Sequence, residues 1–119
     1  MNNSVKDIER LQLEFAKCQK LFTALGDETR QQLICIMLGG DCHGSRVIDI
    51  AKKTHLSRPA VSHHMQILKD IGFVKTRKEG TYIYYYLSPE NSDIENMIQL
   101  FSDIKQIMHN APDRSGEEY

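Results

Sequence analysis

Apolar residues recur along the start of the chain at Ile8, Leu11, Phe15, Cys18, Phe22 and Leu25, at intervals of 3, 4, 3, 4 and 3. That spacing is a heptad seam and predicts one helix over residues 4–24. Gly26 stops it. Asp27 is placed to cap a second helix over 28–38, its carboxylate accepting from the free amides of the first turn. This helix carries Leu33, Ile34, Ile36, Met37 and Leu38, is apolar on most sides, and is expected to be central. Cys35 lies within it and is expected in the core, since a free cysteine packs as a small hydrophobe. Gly39-Gly40 ends the helix, and 39–44 form a loop. Ser45 is expected to cap a short third helix, 46–53, with Val47, Ile48, Ile50 and Ala51 facing inward. Thr54-His55-Leu56 make a tight turn. Ser57 then caps a fourth helix, with Pro59 in its first turn, where a missing N–H costs little. That helix buries Val61, Met65 and Leu68, runs to about Asp70 and closes at Gly72.

Two β-rich runs follow, 73–77 and 81–87, around the charged turn Lys78-Glu79-Gly80, and predict a hairpin. Tyr84, Tyr85 and Tyr86 alternate across its second strand and are expected to pack the hairpin rather than stack on bases. Ser92-Asp93-Ile94-Glu95 has the form of a capping box and opens a fifth helix. Its apolar stripe is Ile94, Met97, Ile98, Phe101, Ile104 and Met108. The tail 112–119 is polar and expected to fray.

The order helix, helix, helix, turn, helix, hairpin, helix is mainly α with a β-hairpin wing: a winged helix-turn-helix. In that motif the second helix enters the major groove. Its exposed positions here are Ser57, Arg58, Ser62, His63 and Gln66. Arginine can pair bidentately with guanine and glutamine with adenine, while hydroxyls suit phosphates or bases. Arg77 and Lys78 at the hairpin turn can lie along the backbone or reach a minor groove.

Charge sharpens this picture. The 119 residues carry a net charge of −1, but the segment 44–80 is +5 and the remainder −6. A basic middle between acidic flanks suits a polyanion. Length and a 40% hydrophobic content fit one globular domain, placed at 1–111, with 45–88 as its DNA-binding part. No apolar run approaches a membrane span and the N-terminus lacks a secretory h-region, so a cytoplasmic protein with no membrane partner is expected. Three cysteines, an odd count without framework spacing, agree with a reducing compartment.

The run Leu21-Phe22-Thr23-Ala24-Leu25-Gly26-Asp27-Glu28-Thr29-Arg30 resembles the opening of the ArsR/SmtB family of bacterial regulators. Residues 56–68 resemble its recognition helix, and Ile71-Gly72-Phe73-Val74, Arg77-Lys78-Glu79-Gly80 and Tyr84-Tyr85-Tyr86-Leu87 its wing. The resemblance spans about residues 15–88 in one order. It implies a homodimer joined by the first and last helices, on double-stranded DNA with two-fold symmetry, and a repressor released by an effector. Leu11, Phe15, Cys18, Ile94, Met97, Phe101 and Ile104 are the expected dimer contacts. It also assigns His63 and His64 to the recognition helix, one at DNA and the other packed at its base.

The family's effector sites carry over poorly. Its Cys-x-Cys is absent from 46–51, and its last-helix ligand set corresponds to Asp93, Glu95, Gln106 and His109, with a glutamate and a glutamine in place of two histidines. Asp93 and Glu95 also serve as helix-start acids, which suits the dipole without any metal. Cys42-His43, with Cys18 if it comes near, is an alternative thiolate–imidazole or redox site, although loop cysteines and histidines are often incidental. A metal ion is thus a possible effector and no cofactor is assigned. An enzyme is not expected, because the chain has no Gly-rich phosphate loop or Ser-centred nucleophile motif. The alternative is a winged-helix protein-interaction module without DNA binding, which predicts an apolar or acidic face on the fourth helix.

Overall fold

Local capping and turn signals set most element boundaries. The computed structural model describes residues 5–90 and 92–116, without the side chain of Ser92. The capping box at Ser92 and residues 117–119 of the tail therefore lie outside the described residues. The order is α1 (Val5–Leu25), α2 (Glu28–Leu38), α3 (Val47–Lys52), α4 (Arg58–Asp70), β1 (Val74–Glu79), β2 (Tyr82–Leu87) and α5 (Ser92–Asn110). The chain divides into two compact units, one of Met1–Gln19 with Ser92–Tyr119 and one of Lys20–Asn91.

In the unit Lys20–Asn91, Asp27 caps α2 by accepting from the amide of Arg30 at 3.0 Å. The amide of Gly26 closes α1 on the carbonyl of Phe22 at 2.9 Å. The core gathers Ala24, Leu33, Met37, Ile50, Val61, Met65, Leu68 and Val74, with Leu56, Phe73, Tyr85 and Leu87 half-buried around it. Helix α4 supplies Val61, Met65 and Leu68 at 4- and 3-residue spacing, one face of a helix, which leaves 58, 62 and 66 on another. Strands β1 and β2 pair antiparallel from Val74 opposite Leu87 to Glu79 opposite Tyr82. The connection is Gly80-Thr81, with Gly80 at φ +61°, a conformation that glycine adopts without penalty.

Three expectations are corrected. Ser45 does not cap α3: the N-cap is Arg46 and makes no side-chain cap bond. Ser45 instead exchanges backbone hydrogen bonds with Tyr85, 2.9 Å from its amide and 2.8 Å to its carbonyl, and extends the wing by one rung. That close approach requires Gly44, at φ +104°, where a Cβ would sit 2.8 Å from the Tyr85 carbonyl oxygen. Second, not every apolar residue of α2, expected to be central, turns inward: Leu33 and Met37 are buried, Ile34 and Ile36 half-buried, and Leu38 exposed. Third, Cys35 falls on its exposed side and is not core.

On α1, Cys18, Leu21 and Ala24 are buried, whereas Ile8 and Phe15 of the predicted seam are exposed. On α5 the fully buried residue is Leu100, outside the predicted stripe. Ile98, Phe101 and Met108 of that stripe are exposed, and Ile94, Met97 and Ile104 are half-buried. In the unit that contains both α5 and the start of α1, Glu14 shares a side-chain hydrogen bond with Asp103.

Candidate nucleic-acid interface

Helix α4 begins at Ser57, whose hydroxyl accepts from the amide of Ala60 at 3.3 Å. Its first turn contains no acidic residue, unlike those of α2, α3 and α5. The positive end of its dipole is therefore not neutralised by the helix's own side chains. Ser57, Arg58, Ser62, His63 and Gln66 are all exposed. Arg58, Ser62 and Gln66 follow one another at four-residue intervals, so they line one face. Arg58 makes no hydrogen bond or ion pair among the described residues. Gln66 donates to Asp70 at 2.8 Å, a contact between exposed side chains that a base edge can replace.

The wing is stiffened by two guanidinium–tyrosine stacks. Arg77 lies over Tyr84 at 5.0 Å, opposite it in the ladder, and also pairs with Glu79 at 3.0 Å. Arg46, at the start of α3, lies over Tyr82 at 4.6 Å and pairs with Asp49 at 3.2 Å. Tyr82 and Tyr84 share one face of β2, so both stacks are on the same side of the hairpin. The rings are thus occupied in packing the wing. Lys78, next to the turn, remains exposed.

Beneath the reading face lies a residue the sequence reasoning treated only as part of a motif. Arg30 is 9% exposed. Its Nε donates to the Ala24 carbonyl at 2.7 Å, one terminal nitrogen to the Thr23 carbonyl at 3.4 Å, and the other to Nδ1 of His64 at 3.2 Å. Asp27 stands 4.0 Å away and, held by the Arg30 amide above all, has its carboxyl pulled below the ordinary range. The available signal was Asp27-x-x-Arg30 itself, an acid and a base one helical turn apart at a helix start. His64 is half-buried and His63 exposed.

Cys18 is buried within the single chain, and burial pushes its thiol up, with Asp93 and Glu14 adding to the effect. Cys42 and His43 are exposed. On α5, Asp93 is half-buried, and Glu95, Gln106 and His109 are exposed. Among the described residues no three of His, Cys, Asp and Glu converge as a metal site. Among the described residues the last-helix set Asp93, Glu95, Gln106 and His109 is not gathered into one site within a single chain.

Residues 27–76 match the family described as bacterial regulatory protein, arsR family. An uncharacterised HTH-type transcriptional regulator of Methanocaldococcus jannaschii is 34% identical over 92 residues, 76% of this chain and 98% of that protein. The transcriptional repressor SdpR of Bacillus subtilis is 35% identical over 68 residues, 57% of this chain and 72% of SdpR. Among solved structures, the transcriptional regulator HlyU of Vibrio vulnificus is 30% identical with a TM-score of 0.60, over 82% of this chain and 96% of that one. The family match takes in α2, α3 and α4, the helices that include the helix-turn-helix, and the chain belongs to the arsR family of bacterial regulatory proteins.

Proposed function

We propose that the protein is a cytoplasmic, homodimeric transcriptional regulator that reads a two-fold symmetric operator. Helix α4 lies in the major groove, with Ser57, Arg58, Ser62, His63 and Gln66 toward bases and phosphates. Arg77 and Lys78 carry the wing onto the backbone. The observation that carries this reading is the exposed polar face of α4, with an uncommitted arginine and an acid-free first turn. A protein-interaction module calls for an apolar or acidic face there. Residues 1–111 form the working domain, 45–88 its DNA-binding part and 112–119 a tail. No helix among the described residues is long and apolar enough to cross a membrane.

The dimer rests on Leu11, Phe15, Ile94, Met97, Phe101 and Ile104, with Ile98 beside them; Cys18 is already covered within one chain. Repression, relieved by an effector, follows the relatives named as repressors. Other relatives are named for cadmium resistance. A metal effector would draw on Asp93, Glu95 and His109 from both subunits. The test is fluorescence anisotropy against DNA from upstream of the protein's own gene and against a scrambled duplex, at two salt concentrations. Preferential binding that weakens steeply with salt is the expected result. Absence of binding to any duplex at low salt overturns the reading in favour of the protein-interaction module.

A further inference from the structure

The geometry points to Arg30 as a positioning residue for DNA recognition, acting on the reading helix through the ring of His64. This rests on the proposed DNA-binding function. Arg30 joins three elements inside the unit Lys20–Asn91: the end of α1 through the carbonyls of Thr23 and Ala24, its own helix α2, and α4 through His64. A guanidinium only donates, so Nδ1 of His64 accepts, and the neutral ring carries its proton on Nε2. The buried guanidinium thus fixes both the place and the tautomer of a ring that lies between the exposed His63 and the buried Met65. Base readout tolerates about 0.5 Å of misplacement. Apolar packing turns Val61, Met65 and Leu68 inward but is non-directional within that face, so a finer restraint on rotation about the helix axis has to come from a polar contact. The Arg30–His64 bond is directional and supplies that restraint at the second turn of α4, where Ser62 and His63 face outward. Thr23 and Ala24 sit at the other end of the same guanidinium, so a displacement of the end of α1 reaches the reading helix through one side chain.

Two measurements test this. In the full-length protein without DNA, the ring-nitrogen NMR spectrum should show the His64 proton on Nε2; a proton on Nδ1 overturns the inference. Then wild type, Arg30→Lys, His64→Leu and the double variant are titrated with a duplex selected from a randomised library and with a scrambled duplex. Each single change should lower the preference for the selected duplex about tenfold, with scrambled binding unchanged. The double variant should lose no more than either single one, because both break the same link. His64→Asn, which keeps an acceptor near the Nδ1 position, should retain the preference. Additive losses, or an Asn variant as poor as Leu, mean that His64 acts on DNA without Arg30 and overturn the inference alone. If Arg30→Lys does not fold, the comparison of His64→Leu with His64→Asn decides, since both leave Arg30 on its two carbonyls. A wild type with no preference for any selected duplex removes the proposed function itself.

Discussion

Arg58 is the side chain of α4 with most to give a base and least to lose. It is exposed, bound to nothing among the described residues, and sits in the first turn beside the helix's free amides. Arg58→Ala should reduce affinity for the preferred duplex by about 1 to 3 kcal/mol and relax the base preference at one position. An anisotropy titration reads both, and equal losses on preferred and scrambled DNA would reduce Arg58 to a phosphate contact. Residue identity made this position legible: Arg, Ser, His and Gln at the start of a short helix are unusual choices for a merely solvated face. Cys35 was not legible in that way. Helix α2 contains enough apolar residues to cover two faces, and which face is buried depends on neighbours that sequence spacing does not show. Arg30 was hidden for the opposite reason, because a charged side chain reads as surface until its carbonyl partners, six and seven residues earlier, are seen to surround it.

At the scale of elements, boundaries set by local chemistry were readable and those set by contact between distant segments were not. Asp27 and Ser57 cap their helices as their side chains dictate. Ser45 looks like the same signal, but its backbone is taken by Tyr85, forty residues later, and α3 begins at Val47 instead. Gly44→Ala tests that rung. Its positive φ and the 2.8 Å approach of a Cβ to the Tyr85 carbonyl should destabilise the fold by more than about 1 kcal/mol in thermal or urea unfolding, with the wing disturbed first. A variant as stable as wild type would show that the rung is dispensable. The pairing of α1 with α5 carries a second prediction. The hydrogen bond to Asp103 raises Glu14 above the ordinary carboxylate range, burial adds to this, and one oxygen of Glu14 is fully buried without a partner. The same bond lowers Asp103, aided by Gln99. In that hydrogen bond Glu14 is therefore the donor and Asp103 the acceptor, with Arg10 and Lys17 nearby. Glu14 contributes stability that is complete below its unfolded value and is lost as pH rises through its raised folded value. Asp103 contributes stability that is lost only as pH falls through its depressed value. As pH rises from the ordinary carboxylate range through the raised folded value of Glu14, the melting temperature of wild type should fall relative to Glu14→Gln, whose amide donates to Asp103 at any pH. Parallel melting curves for the two proteins would rule this out.

For the whole molecule, the apolar stripes are what the proposed dimer rests on. The sequence pattern located apolar faces on the first and last helices, but a stripe of given width does not reveal which of its edges turns inward. The structure turns Cys18, Leu21, Ala24 and Leu100 inward and leaves Ile8, Phe15, Ile98, Phe101 and Met108 exposed. Five large apolar side chains on two helices are more than scattered surface residues usually amount to, and such patches mark association sites. A two-fold dimer would bury them against their own copies, since a two-fold interface pairs one patch with itself. It would also present two copies of α4, as a palindromic operator demands. Phe101, 52% exposed in the single chain, is a sensitive probe of that surface. Phe101→Glu places a charge where the proposed dimer needs apolar contact. Sedimentation velocity should give monomers for the variant and dimers for wild type, with helical circular dichroism read beside it to show that the variant is folded. Operator affinity should fall with the dimer, while weak, salt-sensitive binding to any duplex persists in the monomer. A variant that remains a dimer of wild-type affinity would place the interface elsewhere, and the exposed stripe would then need a different partner.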